Sequence, residues 1–290
     1  MAKRKSLIVS LISTIVGLVM LVAIIAVALI AFVKIKFDVN LFDVISQVKT
    51  LTEEVNENEA YTNKFLSDDL QSTQVSVNTS FNADVVTYSE AEGYKISDSI
   101  SNNLSVSLQL SDKQVAALIS MILKNQENPT GVTIGDTTLI ISLVQVQFSN
   151  LVDNAVDYNV VVKVDLTPLK ENMSGFPFNL ISNYLPNNVY ISSTITITKG
   201  ANAFEYSYTS KSLEINNLKT DEVNSLLTTI NKFIEFGDAA KLNNMIAGSF
   251  ADAMLGKSEV NGFAYSLKNA GATDFNFVES GEQILLEITI

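Results

Sequence analysis

The side chains available for chemistry in this sequence are Ser, Thr, Tyr, Lys, Asp and Glu. His and Cys do not occur. The commonest general base and metal ligand are therefore missing, and thiolate and disulfide chemistry is excluded. The only Arg is Arg4, so no guanidinium fork is available in the body of the chain to clamp a carboxylate or a phosphate. A Ser-Lys dyad or a carboxylate pair stays within the residue inventory, but no Gly-x-Ser-x-Gly nucleophile elbow supports one. Gly131 and Gly135 bracket a short run without the spacing or the Lys of a phosphate loop, and no G-x-G-x-x-G occurs. The adjacent pairs Glu53-Glu54 and Asp68-Asp69 lack the spacing of a calcium loop and read as solvated charge. Asn78-Thr79-Ser80, Asn103-Leu104-Ser105 and Asn172-Met173-Ser174 are formal glycosylation sequons in an Asn-rich chain, where such triplets arise by chance. The inventory points away from an enzyme and predicts no cofactor and no metal.

Charge narrows the partners. The chain carries 31 acidic and 19 basic residues, and its first acid is Asp38. Lys3, Arg4, Lys5, Lys34 and Lys36 sit at the N-terminal end, so the rest is more acidic than the whole-chain net charge of −12. Such a surface repels phosphate backbones, and nucleic acid is not an expected partner.

Residues 7–33 hold no charge, from Leu7 to Val33. As a helix these 27 residues reach about 40 Å, more than a hydrocarbon core of about 30 Å requires. Ala26-Val27-Ala28 fits a leader-peptidase site, but five apolar residues follow it, and secretory cores run only about 7–15 residues. The run therefore reads as a retained single-span anchor. Lys3, Arg4 and Lys5 are its topology determinants and place the N-terminus in the cytoplasm, with the C-terminal part extracytoplasmic in the cell envelope. The absence of Cys from an exported chain suggests a bacterium.

Beyond the anchor, Leu41, Val44, Val48, Leu51 and Val55 recur at 3-4-3-4 spacing. They form either a self-association seam between copies or the apolar side of a helix packed on its own domain. Residues 53–69 read as a polar linker. From residue 74 the apolar period becomes two: Val75, Val77, Phe81; Leu104 to Leu110; Val144, Val146, Phe148; Val156 to Leu166; Val189 to Ile197; Phe204, Tyr206, Tyr208; and Leu286 to Ile290. Alternation predicts strands buried on one face, hence antiparallel sheet. Three amphipathic helices interrupt them. Ser111 to Gln114 is a capping box ahead of Val115, Leu118, Ile119 and Ile122. Thr220 is the expected cap before Val223, Leu226, Leu227 and Ile230. Asp238 precedes a helix ending near Gly256. The first two helices match at an offset of 108 residues, which reads either as a duplicated strand-then-helix unit or as the shared spacing of any amphipathic helix. The expected class is α+β: a cytoplasmic tail (1–6), a transmembrane helix (7–33), a juxtamembrane helix and linker (34–73), and an extracytoplasmic domain (74–290) with three helices packed on mainly antiparallel sheet.

Two stretches carry a family resemblance. Residues 108–118, Leu108 to Leu118, run from a strand into a capped helix. Residues 175–186, from Gly175 to Pro186, end in Leu185-Pro186 before the next strand. Across residues 102–200 this resembles the YpmS-like single-pass proteins of Gram-positive bacteria, a family without an established activity. The resemblance implies one N-terminal membrane helix and an extracytoplasmic α+β domain. The same strand-helix pattern is similar to tubular lipid-binding domains, which hold lipids in an apolar groove. That similarity implies a groove lined by Val115, Leu118, Ile119, Ile122, Val223, Leu226, Leu227, Ile230, Tyr206 and Tyr208, unless those side chains are simply core. Two functions follow as expectations: a membrane-anchored, non-enzymatic module binding a lipid or other apolar ligand, or an interaction protein of an envelope complex, with oligomerisation through the seam open.

Overall fold

The computed structural model describes residues 50–53, 55–64, 74–75, 79–80, 86–89, 93–96, 107–124, 131–134, 137–172, 186–230, 238–256 and 262–290. Leu7 to Val33, the topology determinants Lys3, Arg4 and Lys5, and the seam residues Leu41, Val44 and Val48 lie outside the described residues. Among the described residues no helix is long and apolar enough to cross a membrane.

In chain order the elements are α1 (Glu57–Ala60), the strands β1 (Gln74–Val75), β2 (Thr79–Ser80), β3 (Val86–Ser89), β4 (Gly93–Ile96) and β5 (Leu108–Leu110), then α2 (Asp112–Lys124). There follow β6 (Gly131–Ile134), β7 (Thr137–Val152), β8 (Ala155–Asp165), α3 (Thr167–Asn172), β9 (Asn188–Lys199) and β10 (Tyr206–Ile215). The chain closes with α4 (Thr220–Ile230), α5 (Ala239–Leu255), α6 (Phe263–Ser266), β11 (Asp274–Ser280) and β12 (Gln283–Thr289). The class is α+β, with every strand pair among the described residues antiparallel.

The main sheet has five strands in the order β10-β9-β8-β7-β6. Its inner face is the predicted alternation made solid: Val156, Tyr158, Val160, Val162 and Val164 of β8 pair with Ile197, Ile195, Ser193, Ile191 and Val189 of β9, all buried. Helices α2, α4 and α5 and a three-stranded sheet, β11-β12-β5, pack on the same side. Phe148 of β7 meets Phe277 of β11 edge-on at 5.3 Å, joining the two sheets. Burying each aliphatic side chain of this layer contributes about 1.5–3 kcal/mol.

Local chemistry sets the helix starts. Ser111 Oγ accepts from the Gln114 amide (3.3 Å), and the Ser111 amide donates to Gln114 Oε1 (2.8 Å), a reciprocal capping box. Asp238 caps α5 by accepting from the Lys241 amide at 2.7 Å. Helix α4 differs from expectation. Thr220 already lies inside it, its hydroxyl accepts from the Leu213 amide of β10, and Glu222 closes the turn by accepting from the Lys219 amide. Helix α5 ends at Gly256, whose φ of +80° suits glycine. Gly256 and Gly262 then cross so closely that a Cβ on Gly262 would sit 2.2 Å from the Gly256 nitrogen.

Two further expectations need correction. Val144 does not share a face with Val146 and Phe148. A β-bulge between Leu143 and Gln145 inserts one residue and turns Val144 to the opposite face. Phe204 precedes β10 rather than belonging to it, sitting in the β9–β10 connection at φ +57° with its ring buried. Ahead of residue 74, Leu51 is fully buried in the main core, and Val55 and Tyr61 pack on Val144, Val161 and Tyr190 of the main sheet. The two helices related by the 108-residue offset also differ in setting: α2 follows β5 of the small sheet, and α4 follows β10 of the large one.

Candidate functional site

The inner side chains named for a groove are packed together. Val115, Leu118 and Ile119 of α2 and Val223, Leu226 and Leu227 of α4 are at most 2% exposed. The side chains of Ile122 and Ile230 lie outside the described residues. Tyr206 is buried and donates to Asp252 Oδ1 of α5 at 2.5 Å. Burial, with the Asp252 carboxylate beside it, pushes the Tyr206 phenol up. Tyr208 is half-buried, its phenol raised by burial and again by Asp252, and its ring covers Gly248 of α5. A Cβ at Gly248 would lie 2.7 Å from that ring, so the glycine sets how near α5 approaches β10. A polar knot around the fully buried Asn243 and Ser193 pins the same helix. Asn243 accepts from the Ser193 hydroxyl of β9 and donates to the Thr194 carbonyl (2.6 Å) and to Ser210 Oγ (2.8 Å). At the far end of β9, Lys199 pairs with Asp274 at 3.1 Å and lies over the Phe275 ring, tying the two sheets together. Burial alone would raise the Asp274 carboxyl, but the Phe204 and Phe275 amides and Lys199 hold it below the usual range.

The outer face of the main sheet has opposite chemistry. Ser192, Thr194, Thr196 and Thr198 of β9 line it half-buried, beside exposed Ser207, Thr209 and Lys211 of β10. Cross-strand hydrogen bonds preset these groups. Asn159 of β8 donates to Ser192 Oγ (2.9 Å) and Thr194 Oγ1 (3.0 Å). Asp157 accepts from Thr196 (2.7 Å) and Asn150 (2.7 Å) and pairs with Lys211. Burial raises the Asp157 carboxyl less than Lys211, Asn150 and Thr196 lower it, so it stays ionised below the usual range.

One end of this face is crossed by the chain itself. Residues 50–53 and 55–64 run across the strands as a strap. At the β10 end, Asn216 donates to the Leu51 carbonyl (2.7 Å) and Asn217 to that of Glu53 (3.4 Å). Above β9 and β8, Glu57 accepts from the Tyr190 hydroxyl (2.7 Å) and Lys163 (3.1 Å), while Lys64 pairs with its other oxygen (3.3 Å). Over β7 the Asn63 amide donates to Gln145 Oε1 (3.2 Å), and its side chain donates to Asp112 of α2 (2.7 Å). Val55 and Tyr61 of the strap pack on an apolar patch of Val144, Val161 and Tyr190, separate from the main core. Tyr61 lies 5.4 Å from the Tyr190 ring, and burial, reinforced by Glu214 and Glu57, pushes its phenol up to about 12. For Glu57 burial works upward, but the hydrogen bonds from Tyr190, Lys163 and Lys64 outweigh it and hold the carboxyl below its ordinary value.

The two described seam residues are thus placed within the chain's own domain: Leu51 in the main core and Val55 on the outer patch. Sequence reasoning missed Glu57, Tyr61, Asn63, Lys163, Tyr190 and Asn216 as a group. Their contacts join positions up to 165 residues apart, and no local periodicity reports that. An open depression of about 430 Å³ near the small sheet is lined by Ser107, Gln109, Ser111, Gln114 and Gln283 with Leu108 and Leu285. There Gln109 donates to Glu287 and Gln114 accepts from the Ser111 amide in the α2 cap. Among the described residues no group of three or more acidic side chains is arranged to hold a metal ion. Compared with protein-family models, curated proteins and solved structures, the chain matches none.

Proposed function

We propose that this chain is a single-pass, membrane-anchored extracytoplasmic module that works by binding rather than by catalysis, as an interaction protein of the cell envelope. Its anchor is residues 7–33, with Lys3, Arg4 and Lys5 on the cytoplasmic side. The observation that carries the reading is the contrast between the two faces of the main sheet. The inner face is filled by helix side chains, while the outer face holds an ordered array of hydroxyls and amides on rigid strands. Rigid strands preset the groups that meet a partner, which lowers the ordering cost of binding.

The lipid-holding alternative requires helices to leave the sheet and uncover Val115, Leu118, Val223 and Leu226. Each is held by burial worth about 1.5–3 kcal/mol, so this route is the costlier one. A photocrosslinking side chain at Thr196 or Thr209, introduced in cells, tests the binding face. Discrete adducts are expected there and not at exposed Lys241 of α5. Equal or absent adducts at the two places contradict the reading, and a lipid retained in native mass spectra would favour the alternative.

A further inference from the structure

The polar groups on the outer face of the main sheet have a fixed polarity. A hydroxyl has one proton to give and two lone pairs to accept with. Asn159 of β8 gives its side-chain amide protons to Ser192 Oγ and Thr194 Oγ1 of β9. Those two oxygens already accept within the sheet, and no acceptor among the described residues takes their own protons. Thr196 is the reverse: its proton goes to Asp157 Oδ1, which leaves its lone pairs to accept from a ligand. Strand β9 therefore presents two donors and then an acceptor, an order set by β8. Beside them Thr209 of β10 stands opposite Thr196, and Ser207 opposite Thr198, both exposed.

Charge on this face is cancelled. Asp157 is buried, and its oxygens are taken by Thr196, Asn150 and Lys211. Towards the strap, Glu214 pairs with Lys219 and Lys163 with Glu57. An anionic polymer brings acceptors, which Thr196 cannot match, and the acidic excess of the chain repels it. A cation meets the protons of Ser192 and Thr194. A polypeptide backbone has both polarities, but it pairs with sheet edges rather than sheet faces. Sugar hydroxyls donate, accept and carry no charge, so they match every position. At the strap end Tyr61 is partly exposed against Tyr190, an aromatic surface with a polar tip that suits the apolar side of a sugar ring.

We infer that the outer face of β8, β9 and β10 binds an uncharged glycan, with Ser192 and Thr194 donating to sugar oxygens and Thr196 accepting from a sugar hydroxyl. The inference rests on the proposed function and names the partner class of that same face. One such bond contributes little in water. A chain of sugars laid across rigid strands adds several at no further ordering cost to the protein.

Full-length protein in phosphatidylcholine vesicles is mixed with fluorescein-labelled dextran, mannan or chitotetraose, or with labelled dextran sulfate, and the label that sediments with the vesicles is measured. At least one of the neutral glycans is expected to sediment with protein-bearing vesicles and not with empty ones, and dextran sulfate is not. Thr194→Val plus Thr209→Val keeps shape and strand preference but removes two hydroxyls, and should lower retention about tenfold. Thr194→Ser plus Thr209→Ser keeps the hydroxyls, and Thr228→Val lies exposed on α4, so both should bind as the unaltered chain does. Four results overturn the inference: no neutral glycan retained, dextran sulfate retained as well as the neutral glycans, the valine pair binding at full strength, or the serine pair losing as much as the valine pair. Photocrosslinking at Thr209 separates the two levels. A discrete protein adduct without glycan retention removes the sugar and leaves the binding face standing, whereas neither adduct nor glycan removes both.

Discussion

The Tyr158 hydroxyl is enclosed on the inner face with no hydrogen-bond partner among the described residues, and burial pushes the phenol strongly upward. An unsatisfied buried hydroxyl costs about 1–3 kcal/mol of desolvation, so Tyr158→Phe is expected to stabilise the domain by about 1 kcal/mol in urea melts. A loss of stability instead would reveal a bound water or a hidden acceptor. Asn243 is the reverse case, a buried amide with its bonds made. Asn243→Ala strands the Thr194 carbonyl and Ser210 Oγ, leaves the Ser193 hydroxyl only its longer bond to the Asn243 backbone carbonyl (3.3 Å), and should cost about 2–4 kcal/mol. Asn243→Leu with Ser193→Val and Ser210→Ala should recover much of that, and a triple variant as weak as the single one would contradict this account. Acid sensitivity follows from Glu57, Asp157 and Asp274, all held below the ordinary carboxylate range. The native state binds fewer protons than the unfolded chain, so their contribution is complete above the unfolded value of about 4 and fades as pH falls through the lower native values. Asp157→Asn should flatten that decline in denaturant melts between pH 7 and pH 3; an unchanged slope would assign the sensitivity elsewhere.

Elements were legible where their signal was local. The capping box at Ser111 and Gln114, the Asp238 cap, the Gly256 stop and the inner-face alternation of β8 and β9 follow from spacing alone. The Val144 bulge was not legible, because Val144, Val146 and Phe148 alternate as well as any strand and only the register with β8 shows the inserted residue. The strap was hidden for another reason: residues 53–64 look like an acidic linker until Lys163 and Tyr190 arrive from strands more than a hundred positions away. The close crossing after α5 was equally invisible, since two glycines six residues apart carry no pattern. Gly262→Ala, whose Cβ would strike backbone rather than a movable side chain, should cost about 1–3 kcal/mol or more in urea melts. A neutral result would mean that the α5–α6 corner relaxes freely.

For the whole molecule, the packing of the segment ahead of residue 74 matters most. A fragment cut at residue 74, where the strand period begins, loses Leu51 from the core and the cover of the outer patch. It should unfold at lower urea than a fragment beginning at residue 37, by at least the about 2–5 kcal/mol of a core leucine truncation. Equal midpoints would make the strap dispensable. The central claim is that a folded α+β domain stands outside the cell on a permanent single span. Ser207→Cys, exposed on β10 in a chain without other cysteines, tests it most directly through a membrane-impermeant maleimide applied to intact cells. Labelling of the full-length, membrane-bound chain before lysis is the predicted result. Labelling only after lysis, or a mature chain lacking residues 7–33, would contradict it.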